Sequence, residues 1–394
     1  MYKRILDLNL TLRRKSLFLL GPRQTGKSTF LRLNYPKALF VNLLNSSEFR
    51  RYSSRPHELQ EVVRHHVEAG EGKIVILDEI QKLPTLLDEV QDLIEKDKSL
   101  RFILTGSSAR KLKRGQANLL GGRASWYHMH PLCYPELGSK GISKWLSRLS
   151  IGALPSIVDS PAPFEDLADY VGLYLREEVA AEGLSRSIEG FSRFLDFAAL
   201  TSSEQVNYSA LGQDAQLSPN TVRAYYEILS DTLLGYSLPA FLQTKKRKAI
   251  STAKFYLFDC GVTNALTGRS NIPQGTSEYG KALEQAILGE LKAFLDYRKI
   301  DKKIEYWRST SQLEVDFLVY SNLKDIVAIE VKSGRNPSTR DFKGLLALEE
   351  EQKLLRKIVV CSAETPRKTA GGVEILPLEN FLQQLWAGNL IPLD

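Results

Sequence analysis

Apolar and polar positions along this chain change period several times, and each change predicts an element. Ser16-Leu17-Phe18-Leu19-Leu20 is an unbroken apolar run that predicts a short strand covered on both faces. Thr29-Phe30-Leu31 then begins a helix. Ile74-Val75-Ile76-Leu77 predicts a second buried strand, and Arg101-Phe102-Ile103-Leu104 a third. From about residue 140 to 190 the pattern is helical, punctuated by Pro155, Pro161 and Pro163. Phe191 to Leu200 predicts another apolar-periodic helix. Tyr208 to Ala215 and Asn220 to Leu229 form a helix-turn-helix candidate, with Ser218 as N-cap and Pro219 in the first helical position. On its second helix Val222, Tyr225, Tyr226 and Leu229 share one apolar face, which leaves Asn220, Thr221, Arg223 and Ala224 outward. Strand-like Tyr236 to Phe241 and Lys254 to Phe258 follow. Near the C-terminus, a helix over Ala282 to Phe294 precedes two strands, Glu314 to Val319 and Asp325 to Lys332. Buried strands alternating with helices predict an α/β protein.

The turns that close these strands carry chemistry. Gly21-Pro22-Arg23-Gln24-Thr25-Gly26-Lys27-Ser28 fits G-x-x-x-x-G-K-[ST], the nucleotide phosphate loop. Its glycines permit tight turning and close backbone approach. Its N–H groups and the helix start at Thr29 face phosphate charge. Lys27 supplies a cation to the β- and γ-phosphates, and the Ser28 hydroxyl is a Mg²⁺ ligand. Asp78 ends the second strand, suited to the Mg²⁺ shell, and Glu79 is suited to polarising the attacking water. The third strand ends in Thr105-Gly106-Ser107-Ser108, whose hydroxyls either sense the γ-phosphate or make an ordinary turn. ATP and Mg²⁺ are the expected ligands.

A second constellation lies in the last hundred residues. Antiparallel strands joined by the polar turn Tyr320 to Lys324 bring Asp316 and Glu330 together. Their carboxylates are a candidate Mg²⁺ site, and Lys332, two residues after Glu330, lies on the same strand face. There it is placed to orient a water or stabilise charge on a scissile phosphate. Other acid-x-Lys triplets, such as Glu71-Gly72-Lys73 and Glu290-Leu291-Lys292, do not end an apolar strand beside one carrying an internal Asp.

Taken with Leu77-Asp78-Glu79-Ile80-Gln81-Lys82-Leu83-Pro84, Leu104 to Ser108, Gly121-Gly122-Arg123, Pro131-Leu132 and Pro135-Glu136-Leu137, the phosphate loop resembles that of a family of prokaryotic AAA+ ATPases. The resemblance implies an AAA+ ATPase domain over 1–138, a helical lid over 139–189, a winged-helix domain over 190–274 and a PD-(D/E)XK nuclease-like domain over 275–394. It implies Arg123 as arginine finger or sensor, with Arg110 and Arg114 as competitors, and Glu284 as a further acidic metal ligand. Because an AAA+ site is usually completed by a neighbouring subunit, it also implies a homo-oligomer.

Composition sharpens this modestly. The 394 residues are 43% hydrophobic and carry a net charge of +7, with a pI near 9.1 and mean hydropathy of -0.22. That bias is compatible with an anionic partner. Lys245-Lys246-Arg247-Lys248 is an uninterrupted basic run placed as a wing between two strands, with smaller clusters at Arg13-Arg14-Lys15 and Lys111 to Arg114. Asn220, Thr221, Arg223 and the run are the candidate DNA contacts. Cys133, Cys260 and Cys361 lack disulfide or zinc spacing. No run approaches the roughly 18 apolar residues of a membrane span, and Met1 to Asp7 lacks a secretory core, so a cytoplasmic protein is expected. The expected function is an ATP-driven motor or switch that engages duplex or branched DNA and carries a nuclease-like domain, with cleavage left open. The alternatives are a non-catalytic, ATP-gated DNA-binding or signalling protein whose nuclease-like domain only docks a partner, and an ATPase that remodels proteins.

Overall fold

The computed structural model describes residues 2–108, 123–138, 141–175 and 188–393. They form two compact units, one of residues 3–131 with 231–234, the other of residue 2, 132–230 and 235–394.

The first unit is a mixed α/β layer around a five-stranded sheet, β1 (Ser16–Leu20), β2 (Leu39–Asn42), β3 (Ile74–Asp78), β4 (Arg101–Gly106) and β5 (Ala124–His128), in the order β2-β3-β4-β1-β5. Every pairing is parallel. Both faces of a parallel sheet are covered, which is why β1 reads as continuous apolar sequence and is buried along its whole length. On one face Phe18, Leu20, Val75, Leu77, Phe102 and Leu104 pack against two helices, α2 (Glu58–Glu68) and α3 (Leu86–Lys96). The period of two along these strands selects that set. Helix α1 (Lys27–Asn34) starts directly after the phosphate loop. The loop, the Asp78-Glu79 pair and the Thr105 to Ser108 turn therefore all sit at the carboxyl ends of adjacent strands β1, β3 and β4, where open α/β sheets bind ligands.

The second unit opens with α4 (Gly141–Ile151) and continues through α5 (Ile188–Leu200), β6 (Glu204–Gln205), α6 (Tyr208–Ala215), α7 (Pro219–Asp231), β7 (Gly235–Leu238) and β8 (Lys254–Leu257). The three strands form an antiparallel sheet in the order β6-β8-β7. Asn207 caps α6 through the Ala210 N–H, and Ser218 accepts from the Thr221 N–H at 3.1 Å at the start of α7. Val222, Tyr225, Tyr226 and Leu229 are buried, and Tyr225 and Tyr226 meet Phe191, Phe194 and Phe255 ring to ring.

After α8 (Cys260–Leu266), the long α9 (Ser277–Arg298) leads into a six-stranded sheet of β9 (Lys303–Arg308), β10 (Glu314–Tyr320), β11 (Val327–Val331), β12 (Arg356–Cys361), β13 (Arg367–Lys368) and β14 (Glu374–Pro377). Its order is β13-β14-β12-β11-β10-β9, with a parallel centre and antiparallel edges. Helices α9 and α11 (Leu378–Trp386) contribute to the core on one face, and α10 (Lys343–Glu349) to the core on the other. The register of β10 against β9 shifts between Val315 and Leu318. Alternation turns Phe317 and Val319 to the α9 side and Leu318 and Tyr320 to the opposite side, and the bulge puts Val315 with the latter pair.

The segments expected as lid, winged helix and C-terminal domain share one core, which includes Leu132, Trp145, Leu149, Tyr256 and much of α9. Glu290 of α9 is fully buried at its centre. It accepts from the Trp145 indole at 2.8 Å, the Trp386 indole at 2.7 Å, the Tyr134 N–H at 3.0 Å and the Arg148 guanidinium. A buried carboxylate is tolerated only with such full compensation, and its loss strands a buried cation and two indole donors. Glu290→Ala is expected to lower the stability of the second unit by about 3–5 kcal/mol. Denaturant unfolding followed by tryptophan fluorescence measures this, and a loss below about 1 kcal/mol would contradict the role given to Glu290.

Candidate nucleotide site and acidic cluster

The phosphate loop is shaped by backbone constraints read directly from its sequence. Gly26 lies at φ 89°, left-handed, immediately before α1. Gly21 has a different reason to be glycine. A Cβ there would lie 2.3 Å from the Met129 carbonyl oxygen, so the edge of β5 excludes any side chain. The expectation that both glycines serve phosphate approach therefore holds a second cause, packing, at Gly21. Lys27 is buried and donates to the Gly21 and Pro22 carbonyls at 2.7 and 3.0 Å. Thr25 Oγ1 donates to the Pro22 carbonyl at 2.8 Å, closing the loop on itself. Arg23 and Gln24 form its tip, with Gln24 at φ 61°, and Thr29 lies in the first turn of α1.

Ser28 Oγ donates to Asp78 Oδ2 at 2.7 Å, and Thr105 Oγ1 donates to Asp78 Oδ1 at 2.5 Å. Two oxygen donors beside a buried ammonium match the hard-ligand chemistry of a Mg²⁺-nucleotide. Glu79 follows in the left-handed region at φ 62°, and its N–H donates to Thr105 Oγ1 at 3.0 Å. Its carboxylate accepts from Gln81 Nε2 at 2.5 Å, and the same amide donates to Ser107 Oγ at 3.1 Å. Thr105 and Ser107 are thus tied to the two acids.

Sequence reasoning missed two residues here. Gln81 fixes the Glu79 carboxylate, and its position two residues beyond Glu79 was the available signal. Arg4 donates to the Thr25 carbonyl at 2.7 Å and to the His130 carbonyl at 2.6 Å, clamping the loop from a segment with no motif of its own. Arg123 is placed elsewhere. It directly precedes β5, at the strand end opposite the loop, and pairs with Glu95 at 2.5 Å. Its guanidinium therefore lies away from the loop of its own chain. Arg110, Arg114, the rest of the Lys111 to Arg114 cluster, Gly121 and Gly122 lie outside the described residues.

In the second unit Asp316 of β10 and Glu330 of β11 each lie one residue beyond the paired Phe317 and Ile329. Asp316 Oδ2 accepts from the Val331 N–H at 2.8 Å, and Lys332 Nζ donates to Glu330 Oε1 at 2.6 Å. Glu284 on α9 completes the expected acidic set, but a side chain not foreseen from the sequence stands among them. Lys254 of β8, itself buried, lies 2.9 Å from Glu284, 2.5 Å from Glu314 and 3.9 Å from Asp316. Tyr256 donates to the same Glu284 oxygen at 2.5 Å. Lys254 therefore stands among the three acids, Glu284, Asp316 and Glu330, for which a metal role was expected. Among the described residues no group of acids, histidines or cysteines is arranged to hold a metal ion. Glu284 Oε1 accepts from both Lys254 and Tyr256, and Glu314 is shared between Lys254 through Oε1 and Arg308 through Oε2. Burial, then the Glu284 charge, push the Asp316 carboxyl up to about 7. Burial and the Asp316 charge hold Glu330 well above the usual carboxylate range. Lys254 is raised well above its ordinary value, because Glu284 and its other acidic neighbours outweigh the burial that lowers it.

The candidate DNA contacts divide. Asn220, Arg223 and Ala224 are exposed on α7, while the Thr221 hydroxyl pairs with Ser218. Lys245, Lys246 and Lys248 are exposed. Arg247 is not available in the same way, since it pairs with Glu350 at 2.7 Å and Glu351 at 3.1 Å. The loop carrying the run also lies along β9, through the Phe241 N–H to the Tyr306 carbonyl and the Ile250 N–H to the Arg308 carbonyl. The expected free wing is therefore anchored at both ends. Among the described residues no helix is long and apolar enough to cross a membrane.

Comparison with known proteins agrees with the nucleotide site. Residues 142–272 and 279–381 match two domains of unknown function, DUF8612 and DUF4143. The uncharacterised proteins Rv2008c of Mycobacterium tuberculosis and Mb2031c of Mycobacterium bovis are each 24% identical over 378 residues, 93% of this chain and 80% of theirs. The crystal structure of Pif1 helicase from Candida albicans aligns at 12% identity over 94% of this chain and 93% of that one, with a TM-score of 0.24, which establishes no common fold. Residues 13–138 match the AAA domain, and this stretch contains the loop, the Asp78-Glu79 pair and the sheet that positions them.

Proposed function

We propose that this protein hydrolyses ATP and uses the nucleotide cycle to control nucleic-acid engagement by its second unit. The observation that carries the hydrolase reading is the contact of Ser28 with Asp78 at 2.7 Å, with Glu79 next in the chain and Lys27 buried in the loop. Bound Mg²⁺ would be held by Ser28 and Asp78 and would neutralise phosphate charge. The chain's own residues do the rest. Lys27 exchanges its carbonyl partners for phosphate oxygens, Glu79 takes the proton of the attacking water, and Gln81 holds Glu79 in position. Arg123, remote from its own loop, serves only as an arginine supplied to a neighbouring copy in a homo-oligomer.

The nucleic-acid part of the proposal is supported by chain order. Helix α5, strand β6, helices α6 and α7, then the β7–β8 pair follow winged-helix order, with Asn220 and Arg223 exposed on the second helix of the pair. The sheet of β9 to β14 supports a nuclease-like scaffold by carrying Asp316 and Glu330 on its neighbouring strands β10 and β11. Lys254 within the acidic set favours a docking role for that scaffold over metal-dependent cleavage of DNA.

Glu79→Gln is expected to keep nucleotide affinity and to slow hydrolysis by about 10²–10⁴-fold, whereas Lys27→Ala weakens binding itself. Phosphate release and fluorescent-nucleotide titration separate the two, and wild-type turnover in Glu79→Gln would remove Glu79 from the mechanism. For the nucleic-acid reading, neutralising Lys245, Lys246 and Lys248 together should reduce the log–log salt slope of duplex binding by up to about 2.7. Arg247, held by two glutamates, should change it little. An unchanged slope in the triple variant places DNA elsewhere or nowhere.

A further inference from the structure

Three carboxylates, Glu284, Glu314 and Asp316, lie around one buried ammonium in the second unit. Lys254 Nζ lies at hydrogen-bonding distance from Glu284 and Glu314, and Asp316 lies 3.9 Å away. Glu330, on the strand beside that of Asp316, is 4% exposed, with Oε1 taken by Lys332 and a buried Oε2 that accepts no hydrogen bond. Lys254, Lys332 and Arg308, which pairs with Glu314 at 3.3 Å, face four acids and leave the cluster one positive charge short. A small divalent ion would need oxygens at roughly 2.0–2.1 Å on all sides. An ammonium hydrogen-bonded to the same oxygens takes that volume with half the charge.

Lys254 does not belong to the six-stranded sheet. Its backbone pairs with Gln205 of β6 and Leu238 of β7, so it is carried by the sheet that follows the α6–α7 helix pair. We propose that Lys254 is a tethered cation that excludes divalent metal from the acidic cluster, so that metal binding at Asp316, Glu330, Glu284 and Glu314 and seating of β8 are mutually exclusive. The inference rests on reading β9 to β14 as a nuclease-like scaffold. It assigns a cation site that becomes available only when Lys254 withdraws, and it links that site to the segment bearing Asn220 and Arg223.

The test uses Mn²⁺ alone, added to the full chain without nucleotide, with binding followed by electron paramagnetic resonance and stability by thermal unfolding. Wild type and Asp316→Asn should take up Mn²⁺ equally, because the cluster is closed in both. Lys254→Met should lose stability in metal-free buffer, recover it with Mn²⁺, and bind the ion on the order of tenfold or more tightly than wild type. Asp316→Asn in the Lys254→Met background should abolish that gain. A wild type that binds Mn²⁺ through Asp316 overturns the proposal, and this comparison stands even if Lys254→Met does not fold. A folded Lys254→Met chain with wild-type Mn²⁺ affinity also overturns it. Failure of DNA binding would sink the docking reading and leave these Mn²⁺ outcomes unaltered, so the two fail separately.

Discussion

A carboxylate removed from water must be matched by donors or cations, and this constraint organises each part of the molecule that carries chemistry. Asp78 is matched by two hydroxyls, Ser28 and Thr105. Glu79 is matched by the Gln81 amide. Glu290 is matched by an arginine, two indoles and a backbone N–H. The acidic cluster is matched by Lys254, Lys332 and Arg308. Apart from the local Glu79–Gln81 pair, each solution draws partners from separate stretches of chain and so also fixes which stretches lie together.

The solutions differ in what they permit. Glu290 is saturated, and nothing remains for a ligand. Its partners come from before α4, from α4 and from α11, so it acts as a joint within the core. Asp78 is held by hydroxyls, which are weak, exchangeable partners. A cation can take their place at low cost, as a nucleotide site requires. The cluster around Lys254 lies between these cases. Its ammonium compensates some of the charge and leaves Glu330 Oε2 without a partner. Such partial satisfaction is costly in a dry interior, and it marks the place where the structure holds free energy available to another state.

The bulge in β10 and the loop after β7 show how geometry reassigns residues of similar type. The shift between Val315 and Leu318 puts Val315 on the side away from α9, with Leu318 and Tyr320. The anchoring of the loop along β9 divides a run of four like charges. Arg247 becomes a structural ion-pair partner of Glu350 and Glu351, and its neighbours remain exposed.

Local chemistry was legible in the sequence because it is local. The phosphate loop needs its residues in one octapeptide, a buried parallel strand needs an apolar run, and a helix start needs its cap. Gly21 to Ser28, Asp78 and Glu79, the Ser218-Pro219 turn and the buried face of α7 follow from such short-range rules. The Asp316–Glu330 apposition was also within reach, since a short antiparallel turn sets register. What only tertiary structure decided are the partners that arrive from distant chain. Arg4 reaches the loop from twenty-one residues upstream. Met129 imposes the glycine at position 21 from across the sheet. Trp145, Arg148 and Trp386 converge on Glu290, a residue whose E-x-K context looked ordinary. Lys254 enters the acidic cluster from another sheet. No periodicity encodes such meetings, because they depend on how elements pack, and packing selects partners by volume and charge rather than by spacing along the chain.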